Sequence, residues 1–221
     1  MKGLFVTIEG VDGAGKTTAR DFILEKLKEH GIEFWQTREP GGTPIAERIR
    51  DHLKFGFQGI DPEEEDLTPM AEALLFNVAR AQHIEYVIKP GIEKGLVVVS
   101  DRFVDSTYGH QGGGHGLDLG KLKALHEVAH DGFVPDLTIL LDGDPVVFRK
   151  RLEAAGGNTD RLERNGLEWM QRSRNVHLAE AKSDPDRYFI VQAEESKEHV
   201  QGQLEAAVYV ILQMYRERQA A

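Results

Sequence analysis

The chain has 221 residues and no cysteine, which excludes disulfides, thiolate metal sites and a cysteine nucleophile. Hydrophobic residues make up 40% and charged residues 29%, which is typical of a folded globular protein. Acidic residues number 37 and basic residues 27, and the net charge of −10 argues against general binding to nucleic acid or to an anionic membrane. The apolar runs are also too short to span a bilayer. We therefore expect a cytoplasmic protein with no membrane or nucleic-acid partner.

Short apolar runs alternate with longer segments of helical period. Residues 4–8 (LFVTI) predict a buried strand, and residues 16–30 predict the helix that follows it. Further strands are predicted at residues 34–35, 96–100, 137–141 and 188–191, and further helices at residues 44–53, 66–89 and 197–219. We expect Pro90-Gly91 to end the long 66–89 helix. The alternation predicts a single α/β domain over residues 1–221, with a five-stranded parallel sheet and helices on both faces.

Residues 10–17 (GVDGAGKT) match the phosphate-binding pattern G-x-x-x-x-G-K-[ST], between a predicted strand and a predicted helix. Glycines let backbone N–H groups turn toward phosphate oxygens, and a helix N-terminus favours negative charge. We expect Lys16 to reach the β- and γ-phosphates and Thr17 to ligate Mg²⁺. The predicted nucleoside triphosphate contacts are Gly10, Val11, Asp12, Gly13, Ala14, Gly15, Lys16, Thr17 and Thr18.

Two arginines and an aspartate indicate a second, phosphorylated substrate. Arg38 lies in the segment 37–43 (TREPGGT), just past the second predicted strand, and Arg102 lies just past the third. Both guanidinium groups would reach one edge of the sheet, where each can bind a phosphate through two hydrogen bonds. Asp101 ends a hydrophobic strand, the position of an acid near Mg²⁺ in phosphate-loop enzymes. The guanine-reading pattern N-K-x-D is absent from the sequence, which argues against a regulatory GTPase.

Seven motifs, in this order, make the chain resemble the bacterial type of thymidylate kinase. They are EGVDGAGKTT (9–18), TREPGGT (37–43), LLFNVARAQH (74–83), SDR (100–102), QGGG (111–114), PDLT (135–138) and DRLE (160–163). The resemblance implies a P-loop nucleoside monophosphate kinase fold with a mobile lid. It also implies transfer of the γ-phosphoryl group of ATP to dTMP with Mg²⁺, giving ADP and dTDP, by a homodimer.

The resemblance also implies roles for individual residues. Phe76 would stack on thymine, and Arg80, one helical turn later, would read the base. The acceptor phosphate would bind Arg38 and Arg102. The Gln111 amide would pair with the pyrimidine edge of the base, to which it can offer a donor and an acceptor together, and Thr107 would lie beside the base. Asp12 would lie near the acceptor sugar and the metal-bound phosphates. The implied catalytic residues are Asp12, Lys16, Arg102 and Arg151, and the implied metal ligands are Asp12, Thr17 and Asp101.

The lid departs most from the family pattern. Gly13 replaces the arginine that one branch of the family has within the phosphate loop, so the lid, about residues 149–163, would supply the catalytic cation. Arg151 is expected to act on the transferring phosphoryl group and Arg161 to close over the nucleotide. The reverse division stays open.

The loop around the QGGG motif departs from the family as well. His110 and His115 replace a tyrosine and an arginine that are common there, and they leave deoxy-versus-ribo selectivity open. A deoxynucleoside monophosphate kinase of broader specificity is therefore an alternative. A nucleotide-dependent switch that has lost transfer activity is a second.

Overall fold

The computed structural model describes residues 3–61, 65–156 and 165–220, in which strands and helices alternate. The strands are β1 Leu4–Glu9, β2 Phe34–Arg38, β3 Val97–Asp101, β4 Leu137–Asp142 and β5 Tyr188–Gln192. The α-helices are α1 Lys16–Glu29, α2 Pro44–Phe55, α3 Pro69–His83, α4 Lys89–Glu93, α5 Val104–Thr107, α6 Leu119–His130, α7 Pro145–Ala154, α8 Leu167–Ser183 and α9 Lys197–Ala220. Two π-helical segments, Ile84–Ile88 and Tyr108–Gly114, connect some of them.

The five described strands form one parallel sheet in the order β2-β3-β1-β4-β5. The carboxyl ends of neighbouring strands lie side by side, with Arg38 paired with Asp101 and Asp101 paired with Ile8, the residue before the end of β1. The phosphate loop, the end of β2 and the end of β3 therefore meet at one edge of the sheet. This is the edge where ligands bind in open α/β sheets.

Packed side chains cover both faces of the sheet. One core cluster joins β1, β3 and β4 to α1 and α9, with Ile23, Leu27 and Ile211 fully buried in it. A second cluster lies on the opposite face and contains Phe5 and Phe103, whose ring centroids are 4.9 Å apart in an edge-on arrangement. The predicted α/β fold, with five parallel strands and helices on both faces, is confirmed.

The predicted helix over residues 66–89 is wrong in its bounds. Helix α3 begins at Pro69, after the Thr68 side chain accepts a hydrogen bond from the Ala71 amide at 3.3 Å. Helical structure then continues through the π-helical segment into α4, so Pro90-Gly91 does not end it. Pro90 lies in the first turn of α4, directly after the π-helical segment, and its fixed φ suits that position.

The sequence patterns did not predict helices α6, α7 and α8 or the π-helical segment at residues 108–114. None of the helices in the described ranges is long and apolar enough to cross a membrane. Arg161 and the whole DRLE motif (160–163) lie outside the described residues, so the lid is described only up to residue 156.

Candidate active site

A cavity of about 560 Å³ opens at the carboxyl ends of β1, β2 and β3. The predicted site residues that line it are Asp12, Gly13, Gly15, Lys16, Thr17, Arg38, Phe76, Arg80, Asp101, Arg102, Thr107, Gln111 and Arg151. Its volume is in the range of small-molecule sites. Gly10, Val11, Ala14 and Thr18 belong to the loop or to α1 and are not among the lining residues, and Arg161 falls outside the described residues. Residues from five separate motifs therefore meet at one cavity.

The phosphate loop has a shape that requires glycine. Gly10 has a φ of 139° and Gly13 a φ of 82°, in the region that residues with a Cβ rarely adopt. A Cβ at Gly10 would lie 2.6 Å from the Leu141 carbonyl oxygen, and one at Gly13 would overlap the Phe148 carbonyl oxygen. The loop thus packs directly against the backbone of β4 and α7, which fixes its position.

Lys16 and Arg102 place two cations on one carboxylate. Lys16 Nζ lies 3.5 Å from Asp12 Oδ1 and donates to the carbonyl oxygens of Gly10 and Val11 at 3.0 and 3.1 Å. Arg102 Nη2 donates to the same Asp12 oxygen. Burial disfavours ionised Asp12, but the charges of Arg102 and Lys16 outweigh it and hold the pKa of Asp12 well below its usual range. The Asp12 carboxylate therefore stays ionised at neutral pH.

Arg102 is held by its backbone as well as by its side chain. Its φ of 74° is unusual for a residue with a side chain, and its amide donates to the Ile8 carbonyl oxygen at 3.0 Å. Nη1 donates to Ser106 Oγ at 3.0 Å. Burial would lower the pKa of Arg102, but Asp12, Asp101 and Glu9 raise it. The guanidinium is fixed beside the phosphate loop.

The helix α3 directs Phe76 and Arg80 into the cavity. Arg80 is 1% exposed, and its Nε donates to Glu39 Oε2 at 2.8 Å while Nη2 donates to Thr107 Oγ1 at 2.9 Å. Nη1 has no hydrogen-bond partner within the described part of the chain. Burial opposes ionisation of Glu39, but Arg80 and His83 lower its pKa. A buried cation with an unused donor thus lies at the cavity wall.

The far wall of the cavity carries the QGGG segment. Gln111 Nε2 donates to Glu72 Oε1 of α3 at 2.7 Å. His110 lies beside Arg102, with Nε2 3.3 Å from Arg102 Nη1, and burial and the charge of Arg102 lower the pKa of His110 well below its usual value. A neutral imidazole accepts the Arg102 hydrogen bond in that arrangement.

Two arginines at the cavity rim have protein partners. Arg38 is half-exposed and donates to Glu47 Oε2 at 2.8 Å. Arg151, in α7, donates from Nη1 to the Ala193 carbonyl oxygen at 2.7 Å. Both side chains would exchange these contacts for a phosphate in order to act on it.

Asp101 has an oxygen suited to a hard cation. Its Oδ1 is buried and has no hydrogen-bond partner in the ranges the structure describes. Thr17 is exposed at the start of α1, and both residues line the cavity. A carboxylate and a hydroxyl are ligands that Mg²⁺ accepts. The described residues contain no group of three or more histidine, aspartate or glutamate side chains able to hold a metal alone. That donor set fits Mg²⁺, which keeps waters and substrate phosphates among its ligands.

Comparison with known proteins identifies the family. The family model for thymidylate kinase matches residues 8–204. The chain belongs to the thymidylate kinase family. It is 43% identical over 216 residues to the thymidylate kinase of Pseudomonas fluorescens (strain SBW25), covering 98% of this chain and 100% of the relative. It is 46% identical over 200 residues to that of Hahella chejuensis, covering 90% and 93%.

A solved structure supports the same conclusion. The crystal structure of thymidylate kinase from Ehrlichia chaffeensis superimposes with a TM-score of 0.71 at 28% identity, covering 96% of this chain and 99% of that one. Membership makes the chain an ATP-dependent nucleoside monophosphate kinase, a phosphotransferase. The family match supports thymidylate kinase over the broader-specificity alternative.

Sequence reasoning missed two glutamates that organise this site. Glu39 anchors both Arg80 and His83, and Glu9 Oε1 accepts from the Phe103 amide at 2.7 Å. Burial and the nearby Asp105 raise the pKa of Glu9 to about 7. The position of Glu39 inside the TREPGGT motif could have marked it as a site residue. Its contact with Arg80 could not be predicted in this way, because Arg80 is 41 residues away in the chain.

Proposed function

We propose that this chain transfers the γ-phosphoryl group of Mg·ATP to dTMP, giving ADP and dTDP, as a cytoplasmic homodimer. The observation that supports it best is that one cavity joins the phosphate loop to Phe76 and to the unused donor of buried Arg80. A triphosphate and a planar base can therefore bind at its two ends. We also propose a role for each of the site residues.

The phosphate loop binds the donor. Backbone N–H groups of residues 10–15 and the first turn of α1 turn toward the β- and γ-phosphates. Lys16 releases its bonds to the Gly10 and Val11 carbonyl oxygens and donates to phosphate oxygens instead. Burial and the charge of Arg102 lower the pKa of Lys16. Phosphate charge opposes that effect and strengthens the contact.

Arg102 and Arg38 bind the acceptor phosphate at the adjacent strand ends. A dTMP phosphate oxygen is already anionic at neutral pH, so no general base is needed. That oxygen forms a bond to the γ-phosphorus while the bond from the γ-phosphorus to the bridging oxygen of ADP breaks. The cations hold the two reactants in line and offset the charge, which are the main requirements of phosphoryl transfer.

Phe76 and Arg80 bind the base. The ring of Phe76 stacks on thymine, and Arg80 Nη1 donates to a base carbonyl oxygen, a partner that its buried position otherwise lacks. Thr107 holds the Arg80 guanidinium from the other side.

Thr17, Asp101 and Asp12 are proposed to hold Mg²⁺, which offsets phosphate charge when bound. Asp101 contributes its unpartnered Oδ1. Asp12 orients Arg102 and Lys16 at the same time, because one of its oxygens contacts both.

The lid, about residues 149–163, is proposed to supply the last cation. Arg151 lines the cavity and would leave the Ala193 carbonyl oxygen for the transferring phosphoryl group, with Arg161 closing over the nucleotide. The proposed homodimer is supported by the exposed apolar side chains Leu74 and Val78 on the outer face of α3.

The test is ADP production from Mg·ATP with a panel of acceptors: dTMP, dUMP, the ribonucleotide of thymine, UMP, dCMP, AMP and GMP. We expect strong preference for dTMP and almost no ADP without an acceptor. Similar rates with ribonucleotides would contradict the proposed preference for dTMP, and ADP formed without an acceptor would favour a switch.

A further inference from the structure

A buried carboxylate lies directly behind the amide of Gln111. Gln111 and Glu72 are each 2% exposed, and Gln111 Nε2 donates to Glu72 Oε1 at 2.7 Å. Among the described residues the cavity lining includes Gln111 but not Glu72. Glu72 therefore contacts the residue at the cavity wall and not the space a substrate would fill.

The chemistry of this pair fixes the amide in one orientation. A glutamine side chain has a donor end and an acceptor end of almost the same shape, so an unrestrained amide can present either. A carboxylate only accepts, and the amide nitrogen must face it. The amide oxygen of Gln111 is then the end left for the cavity.

We propose that Glu72 is a positioning residue that makes Gln111 a fixed hydrogen-bond acceptor and thereby selects thymine-type bases over cytosine-type bases. This inference rests on the proposed function and names the source of its base selectivity. Thymine presents an N3–H donor, which a fixed acceptor binds. Cytosine presents an unprotonated N3 acceptor beside an amino group, and its N3 would face the oxygen of Gln111 without a proton between them.

The helix α3 arranges the three base-site functions in a row. Glu72, Phe76 and Arg80 are spaced by four residues, so they lie on one face of the helix, one turn apart. Along that face Glu72 orients the acceptor, Phe76 offers a stacking surface, and Arg80 offers a donor. His115 Nε2 lies 3.6 Å from the same Glu72 oxygen, at the end of the QGGG segment.

The first test is Glu72→Gln, which removes the obligate acceptor and keeps the side chain's size. Gln111 can then rotate, so we expect the KM for dTMP to rise about tenfold, with kcat and the KM for ATP within about threefold of the wild type. We also expect the ratio of kcat/KM for dCMP to that for dTMP to rise about tenfold. The matched control is Glu85→Gln, which removes an exposed glutamate just beyond α3. We expect it to change neither the KM for dTMP nor the ratio of kcat/KM for dCMP to that for dTMP. Thermal unfolding checks that both variants fold.

A second variant separates orientation from packing. Glu72→Gln with Gln111→Glu exchanges the two groups, so the amide at position 72 donates to the carboxylate at position 111, which again faces the cavity as an acceptor. We expect this double variant to recover preference for dTMP over dCMP to within about threefold of the wild type. An unchanged dCMP-to-dTMP ratio in Glu72→Gln, or a double variant no more selective than the single one, would overturn the inference. A wild-type enzyme without dTMP-dependent ADP production would instead overturn the proposed function.

Discussion

Replacing Phe76 with alanine tests whether its ring serves the substrate or the core. The side chain is 8% exposed, yet the packed core clusters of the described residues do not include it, and it lines the cavity. Stacking of a base on an aromatic ring contributes about 1–3 kcal/mol. At about 1.4 kcal/mol per factor of ten, Phe76→Ala should raise the KM for dTMP roughly 5- to 150-fold. The KM for ATP should change less than about twofold, because the phosphate loop is built from other elements.

The assay varies dTMP at saturating ATP, then ATP at saturating dTMP, and thermal unfolding is measured in parallel. Phe5→Ala is the matched core control, because Phe5 is buried against Phe103 and is not among the residues that line the cavity. Removing a buried phenylalanine costs about 3–5 kcal/mol, and we expect Phe76→Ala to cost less than about 2 kcal/mol. Equal rises in both KM values, or a loss of stability as large as that of Phe5→Ala, would show that Phe76 is a packing residue.

Three further changes have distinct expected outcomes. Lys16→Ala should abolish turnover with thermal unfolding unchanged within a few degrees, and residual kcat above about 1% would remove Lys16 from its role. Arg151→Ala should lower kcat about 10³-fold with the KM for dTMP almost unchanged; if only Arg161→Ala does so, the two lid roles are reversed. Burial and the charge of Arg80 lower the pKa of His126 to about 4, so the unfolded chain binds more protons between pH 6.5 and 4 and stability falls as the pH falls. His126→Gln should make that fall shallower, by up to about 1 kcal/mol per pH unit in denaturant unfolding; an equal slope would contradict the assignment.

The phosphate-loop pattern and the family resemblance predicted the parts of the site that lie within one element. The spacing of Phe76 and Arg80 placed both on one helix face, and the structure directs both into the cavity. The partners of Arg80 could not be predicted in the same way, because Glu39 is 41 residues away and Thr107 is 27 residues away. Those segments come together only when the sheet assembles. The hydrophobic periodicity of a sequence is local and gives no information about contacts between residues so far apart in the chain.

Glycine and proline explain where the predicted elements went wrong. Glycine disfavours helices, so QGGG predicted a loop, yet residues 108–114 form a π-helical segment. A Cβ at Gly113 would lie 2.6 Å from the Arg172 carbonyl oxygen, so the glycine allows α8 to pack closely there. Pro90 predicts a helix end, although proline is equally suited to a first helical turn. In both cases tertiary packing decided between two structures that the local residue types allow.

The chain as a whole is acidic, but several basic side chains line its cavity. The chain has a net charge of −10, yet Lys16, Arg38, Arg102 and Arg151 all line one cavity that is proposed to bind two polyanions. Two of these cations can lie close together without a substrate because Asp12 contacts both Arg102 and Lys16 and lessens the repulsion between their charges. Arg102, fixed in this way, needs little rearrangement when phosphate charge develops, and such preorganised charge contributes most to catalysis of this type. Removing the carboxylate with Asp12→Asn should therefore lower kcat more than it weakens dTMP binding, because the cations would remain but would lose their fixed positions.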